Sequence, residues 1–280
     1  MTEPKAAVIG WPIAQSRSPL IHGTWLKSLG ISGRYDRIAL PVEGAADWFA
    51  RFADHGLVGA NVTVPHKETA FAACAEVEPE AAALGACNTL WLEDGRLFGT
   101  NTDTVGFLAN LDDRAPGWDA NAGPAVVLGA GGAARAIVWA LARRGFSPIR
   151  IVNRTLSRAE AIAPLGAPSV VTVHGFDELP KVLADARLLV NTTALGMAGK
   201  DDLVIDLTGL PEDALVTDIV YVPLETALLA AARRRGNPTV DGLGMLLHQA
   251  VPGFERWFGV RPVVTEELRR IILADLGVPA

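Results

Sequence analysis

Cysteine is nearly absent: Cys74 and Cys87 are the two thiols among 280 residues. Their spacing matches no metal-ligand pattern, and one pair makes no disulfide framework, so a reducing compartment fits. An excess of basic charge is also missing. Lys and Arg number 25 against 31 Asp and Glu, a net charge of −6 with a pI near 5.4. That balance argues against nucleic acid or an anionic membrane surface as partner. The longest basic run, Arg233-Arg234-Arg235, stops at Gly236 and reads as the last turn of a helix, where cations suit the dipole. No apolar run reaches the roughly 18–20 residues of a membrane span. The start, "MTEPKAAVIG", has no basic segment followed by an apolar one, so no secretory signal is expected. These gaps together point to a cytoplasmic protein with no membrane partner.

What the chain does have is apolar content. Half its residues are hydrophobic and 20% are charged, enough for a large core and too apolar for global disorder. Strand-like and helix-like segments alternate, which predicts an α/β fold. "AAVIG", "GRYDRIAL" and "GANVTV" read as strands. "SPLIHGTWLKSLG" reads as a helix with Ser18 as N-cap and Pro19 in the first turn, ending at Gly30; Ala45–Ala53 reads as the next. "NTLWLEDGRLFG" reads as a hairpin about Asp94-Gly95. The loop-rich "DDRAPGWDANAGP" marks the approach to a second domain. Beyond it, "ARLLVNTTALGM" and "LVTDIVYVPLETALLAAARRRG" each repeat strand, loop and helix, and the C-terminal part reads as helical.

The strand "AVVL" runs into Gly129-Ala130-Gly131-Gly132-Ala133-Ala134, with a helix opening inside the turn. In that context G-x-G-x-x-A is a dinucleotide-binding loop. Gly129 makes the tight turn, Gly131 lets the backbone approach a pyrophosphate, and Ala134 packs helix on strand. The next strand ends in "VNRTLSR", with no carboxylate to bind a ribose 2′-hydroxyl. Arg154 can instead take a 2′-phosphate bidentately, Arg158 lies four residues on along the same helical face, and Asn153 and Thr155 add neutral hydrogen bonds. NADP is therefore favoured over NAD.

Three polar patches precede this region. In "GWPIAQSRSPLIH", Ser16 and Ser18 lead into a helix start, a setting for a carboxylate; Ser18 serves equally as a simple N-cap. In "NVTVPHK", a proline ends the strand and Lys67 opens a helix, where the dipole disfavours an ammonium and favours the neutral amine. The third patch joins "ACNTL" and "GTNTD", with Asn88 and Asp103 on either side of the hairpin. Lys67 with Asp103 would make a proton-transfer pair for a dehydrogenase. On spacing alone Lys67 reads rather as a solvated helix residue, and His66 beside it points elsewhere or faces solvent.

The blocks "GWPIAQSRSP", "NVTVPHK", "ACNTL", "NTDTVGF", "GAGGAAR", "NRTLSRA" and "DGLGMLLHQA" follow one another from residue 10 to about 250. In this order they resemble the shikimate dehydrogenase family. The resemblance implies two α/β domains with the substrate cleft between them: a substrate-binding domain of residues 1–105 plus 240–280, and a Rossmann NADP-binding domain of 106–239. It implies reduction of 3-dehydroshikimate to shikimate with NADPH, in aromatic amino-acid biosynthesis, by a monomer or homodimer. It gives Lys67 the acid–base role and makes Asp103 its partner. Ser16 and Ser18 would bind the substrate carboxylate, with Tyr221 nearby. Thr63, Asn88 and Gln249 would bind or flank the hydroxyls. Gly242, Met245 and the backbone near Ile219 would lie by the nicotinamide. A quinate or aminoshikimate dehydrogenase of the same family, and a non-catalytic NADP-binding regulator, are the alternatives. Two positions depart from the family pattern. Gln15 stands where histidine is usual, beside the serines, and His66 where phenylalanine is often found.

Overall fold

The computed structural model describes residues 3–278. The chain divides into two compact units, Met1–Thr102 with Leu247–Ala280, and Asp103–Leu246.

The first unit opens with β1 (Lys5–Gly10), α1 (Ser18–Ser28), β2 (Arg34–Ala39), α2 (Ala45–Ala50) and β3 (Gly59–Val62). It continues with α3 (Lys67–Ala73), β4 (Glu76–Val77), α4 (Pro79–Leu84), β5 (Thr89–Glu93) and β6 (Arg96–Thr100). The six strands form one mixed sheet in the order β2-β1-β3-β5-β6-β4. β1 is parallel to both β2 and β3, and β5 turns back antiparallel to β3 and β6. The β5–β6 hairpin turns on Asp94 (φ 50°) and Gly95 (φ 75°), the two positive φ values its two-residue loop requires.

Several local expectations shift here. Ser18 is not the N-cap of α1. That place belongs to Arg17, and Ser18 is the first helical residue, with its N–H donated to Ser16 Oγ at 3.3 Å. The helix predicted over Ala45–Ala53 stops at Ala50, and a 3₁₀ turn, Phe52–His55, follows. That turn keeps Phe49 and Phe52 both buried in the core. The strand predicted to run through "NVTV" ends at Val62, although Thr63 still donates its N–H to Ile9 O at 2.9 Å.

The second unit begins with α5 (Asp103–Arg114) and continues with β7 (Ala125–Leu128), α6 (Gly132–Arg143), β8 (Ile149–Val152), α7 (Leu156–Ile162) and β9 (Val171–His174). α8 (Leu179–Leu183), β10 (Leu188–Asn191), β11 (Leu215–Asp218), α9 (Ala227–Arg235) and β12 (Thr239–Val240) complete its sheet. The strands are all parallel, in the order β12-β11-β10-β7-β8-β9. The first strand of the unit is central and the order reverses between β7 and β10, the doubly wound Rossmann arrangement, whose ligands bind where the order reverses. Buried on both faces, β7, β10 and β11 are continuous apolar or small-polar runs. β10 departs from expectation: turns follow it where a helix was predicted after "ARLLVN". Gly196 (φ 86°) and Gly199 (φ 79°) lie in that stretch, and both adopt the left-handed conformation that interrupts a helix.

α10 (Leu243–His248) spans the second crossing between the units. α11 (Ala250–Phe258) and α12 (Glu266–Asp275) then join the first unit. α11 places Phe254 and Trp257 in its core, and Trp257 Nε1 donates to Leu90 O at 2.9 Å. Gly59 permits that contact, because a Cβ there would lie 1.9 Å from Trp257 Nε1. Among the described residues no helix is long and apolar enough to cross a membrane.

Candidate active site

In the first unit the polar residues of three sequence blocks meet at the C-terminal ends of β1 and β3 and the start of β5. Gly10 ends β1, and a Cβ on it would lie 2.5 Å from Thr63 Cγ2. The glycine thus makes room for Thr63 at the end of β3. After β1, the loop holding Ser16 is fixed from beneath. Arg37 donates to Ser16 O through Nε and Nη2, at 3.1 and 2.6 Å. Gln15 folds back, Nε2 to Pro12 O at 3.2 Å. Ser18 is buried near the Tyr35 hydroxyl.

Lys67 is the first residue of α3, as the sequence implied, and its carbonyl accepts the N–H of Cys87 at 2.9 Å. His66 does not face solvent. It is buried, with Nε2 2.6 Å from Leu40 O and its ring edge-on to Phe49 at 6.2 Å. The imidazole therefore fills the place of a core aromatic and ties α3 to the end of β2. It anchors the turn that carries Lys67.

Asn88 is buried at the start of β5. Its Oδ1 accepts from Thr102 N at 2.8 Å and Thr89 Oγ1 at 3.0 Å. Two donors on one oxygen fix the orientation of the amide, so recognition by Asn88 runs through its N–H groups. Thr102 Oγ1 also donates to Gln249 O at 2.8 Å, which joins the Asn88 and Gln249 segments. Tyr35, Asn61, Thr89 and Thr102 were not singled out from sequence. Their only trace there is polarity inside otherwise apolar strand runs.

In the second unit Asp103 opens α5, where a carboxylate suits the helix dipole. It directly follows Thr102 in the chain. The glycine loop joins β7 to α6, and Gly129 (φ 103°) makes the turn. A Cβ on Gly129 would also meet Thr192 Oγ1 at 2.8 Å and Thr193 Cγ2 at 2.9 Å, from the segment after β10. The loop is thus pressed against the position where the strand order reverses. At Gly131 and Gly132 an added Cβ would meet nothing within 4 Å, and no side chain caps α6. Ala133 lies in the first turn of α6, and Ala130 packs on the core.

At the end of β8, Asn153 Nδ2 donates to Thr155 O at 2.8 Å, and Arg154, Thr155 and Arg158 are exposed. α7 starts only at Leu156, so Arg154 precedes it and does not share a helical face with Arg158. The two cations instead come from the loop and from the first turn of the helix. Asp218 ends β11 and is buried. It accepts from Asn191 Nδ2 and Val220 N, each at 2.9 Å, and from Thr226 Oγ1 at 2.8 Å. Burial raises the Asp218 carboxyl, partly offset by these donors. Its bonds fix the turn through Ile219 toward Tyr221. Gly242 abuts that turn: a Cβ there would lie 2.3 Å from Ile219 O. Met245, in α10, packs against the core of the same unit.

Family models match three stretches of this chain. The shikimate dehydrogenase substrate binding domain covers residues 8–90, shikimate / quinate 5-dehydrogenase covers 115–198, and the shikimate 5′-dehydrogenase C-terminal domain covers 242–266. A protein of Azorhizobium caulinodans named shikimate dehydrogenase (NADP(+)) is 58% identical over 98% of this chain and 97% of its own length. The chain belongs to the shikimate dehydrogenase family. A second relative so named, from Mesorhizobium japonicum, is 60% identical over 97% of this chain and 96% of its own. Among solved structures, the shikimate 5-dehydrogenase of Thermus thermophilus in complex with NADP(H) and shikimate superposes with a TM-score of 0.84. It is 37% identical, covering 95% of this chain and 99% of that one. The shikimate dehydrogenase fold thus accounts for both sheets, including the doubly wound one.

Proposed function

We propose that this protein catalyses the NADP-dependent, reversible reduction of 3-dehydroshikimate to shikimate, as a cytoplasmic monomer or homodimer. The observation that carries the reading is the buried network of the first unit. It fixes Asn88 through Asn61, Thr89 and Thr102, with Tyr35 holding Asn61 and Ser18 buried nearby, at the same strand ends that present Thr63 and Lys67. A substrate with one carboxylate and several ring hydroxyls needs such a fixed set of short polar groups.

The second unit fits NADP. The crest of the glycine loop is open where a pyrophosphate would approach, and Gly129 holds a left-handed φ of 103°. No carboxylate stands at the end of β8, where Arg154 and Arg158 are exposed to receive a 2′-phosphate. Gly129 to Ala133, Asn153, Arg154, Thr155 and Arg158 would hold the dinucleotide. Ile219, Gly242 and Met245 would border the nicotinamide. Bound NADPH supplies the hydride to the carbonyl carbon of the substrate.

The chain's own residues do the rest. Ser16 and Ser18 hold the substrate carboxylate by their hydroxyls, with Tyr221 beside it. Asn88 donates to a ring hydroxyl, and Thr63 and Gln249 flank it. Lys67 Nζ gives a proton to the carbonyl oxygen as the hydride arrives at carbon, and takes it back in the reverse direction. Asp103 serves as the carboxylate partner of Lys67, holding the ammonium and hydrogen-bonding the reacting hydroxyl. Fixed groups lower the barrier because they need not reorganise as charge develops.

The test is a set of initial rates with shikimate and with quinate, each with NADP and with NAD. Fastest turnover with shikimate and NADP supports the proposal. Preference for quinate, which the family model covering 115–198 also names, would move the reading to that substrate. No turnover with any pair would overturn the enzyme reading in favour of a regulatory NADP-binding protein.

A further inference from the structure

Gly99 in β6 lies between the two thiols. A Cβ placed on it would be 2.5 Å from Cys87 Sγ and 2.7 Å from Cys74 Sγ. The missing side chain is what lets both sulfurs occupy one position over the strand. The two thiols thus lie side by side, near enough to bias each other's ionisation. Cys74 caps the C-terminal end of α3 and is partly exposed, whereas Cys87 is fully buried. Cys74 Sγ also lies 3.2 Å from Ala70 O.

We propose that Cys74 and Cys87 form a reversible redox pair, closed to a disulfide by a peroxide or by a diazene such as diamide, whose N=N bond takes up the two thiol hydrogens to become a hydrazine. With hydrogen peroxide the Cys74 thiolate attacks one oxygen. An S–O bond forms, the O–O bond breaks, and the departing hydroxide takes a proton as water. Cys87 then attacks the Cys74 sulfenic acid. The S–S bond forms, the S–O bond breaks, and the hydroxyl leaves with the Cys87 proton as a second water. Each sulfur gives up one electron, and the peroxide takes both. The order of attack follows from environment. Cys74 is the partly exposed thiol, and the neighbouring Cys87 thiol holds it below its ordinary range, whereas that neighbour and burial push Cys87 up.

The consequence for the site is geometric. The Cys87 N–H holds the carbonyl of Lys67, and Cys87 directly precedes Asn88. α3 runs from Lys67 to the Cys74 end. An S–S bond of about 2.05 Å is much shorter than a thiol–thiol contact, so closure draws the end of α3 toward the start of β5. That displaces both Lys67 and Asn88, and oxidation switches activity off. This last step rests on the function proposed above; formation of the disulfide does not.

The experiment treats the full chain with hydrogen peroxide, and in parallel with diamide, then measures intact mass under non-reducing conditions and activity with shikimate and NADP. The expected result is a monomeric chain lighter by about 2 Da, two hydrogens lost, with both thiols blocked to alkylation. Activity should fall by roughly 5-fold or more and return with dithiothreitol. Cys74→Ser, which leaves an oxygen able to bond Ala70 O, should keep its mass and its activity under the same treatment. Oxygen added to Cys74 without the 2 Da loss, a disulfide-linked dimer, or a closed disulfide with unchanged activity would each overturn the proposal. Were the chain inactive toward shikimate from the outset, the mass and alkylation readouts would still decide whether the pair closes.

Discussion

Tyr35 Oη donates to Asn61 Oδ1 at 2.6 Å, in the buried layer beneath the candidate substrate residues. The same hydroxyl lies near the buried Ser18. Asn61 in turn donates to Asn88 O at 3.2 Å and Thr89 Oγ1 at 3.1 Å. One phenol thus supports, through Asn61, the amide proposed to read a ring hydroxyl, beside the loop proposed to hold the carboxylate. Tyr35→Phe removes the donor and strands a buried acceptor, a cost of about 1–3 kcal/mol. The KM for shikimate should rise roughly 5- to 10-fold while the KM for NADP stays put, because a cost of that size falls on the substrate side alone. Equal rises in both would show only a general loss of stability.

Lys67 carries the proton in the proposed reaction. Lys67→Ala should lower kcat by roughly 10²- to 10⁴-fold, the usual contribution of a positioned acid–base group. KM for shikimate should change little, since a group that acts chiefly in the transition state leaves ground-state binding intact. A variant with near-normal kcat would remove Lys67 from the chemistry.

Arg154 stands in the loop before α7 and can meet a 2′-phosphate with two parallel N–H donors. Arg154→Ala should raise the KM for NADP by roughly 10-fold or more, the equivalent of losing one charge-assisted hydrogen bond. It should leave the KM for NAD and for shikimate nearly unchanged. Steady-state kinetics with both cofactors check this. A similar penalty with NAD would show that the arginine does not read the phosphate.

His22 lies fully buried in α1, stacked on Tyr35 with ring centroids 3.9 Å apart and packed against Trp25, Phe254 and Trp257. Burial pushes its imidazole from 6.5 down to about 3, with Asn61 a smaller opposing influence. The folded protein therefore keeps it neutral while the unfolded chain takes up a proton below about 6.5. Its effect on stability is absent above that pH. As pH falls from 6.5 toward 3, unfolding should become easier by about 1.4 kcal/mol per pH unit from this residue. Denaturant titrations of wild type and of His22→Leu between pH 7 and 4.5 should show a shallower slope in the variant. Parallel slopes would mean that His22 is not the titrating group.

Glycine and proline made much of the architecture legible. Gly129 and Asp94-Gly95 mark turns whose positive φ values few other residues adopt, so their elements were read in place. Serine at a helix start was ambiguous. The cap of α1 depends on where the Arg17 backbone turns: Arg17 O accepts the N–H groups of Leu20 and Ile21, and Ser16 Oγ accepts that of Ser18. The helix expected after β10 failed for a related reason. An apolar run without strong periodicity does not reveal that Gly196 and Gly199 will both turn left-handed. Of the candidate site, the residues carried by family blocks were visible. Tyr35, Asn61 and Thr102 were not, because a buried hydroxyl or amide has no spacing rule of its own.

Sequence alone determined the α/β alternation, the glycine loop, the absence of a carboxylate after β8, and the place of Lys67 at a helix start. Each depends on neighbours a few residues away, within reach of backbone sterics and the helix dipole. The tertiary structure decided what those residues lean on. It put His66 in the core, pressed Gly242 against Ile219, gave Tyr35 Asn61 as its partner, and brought Cys74 and Cys87 together over Gly99. These contacts join segments distant in the chain, and close packing, rather than local preference, selects which of them form.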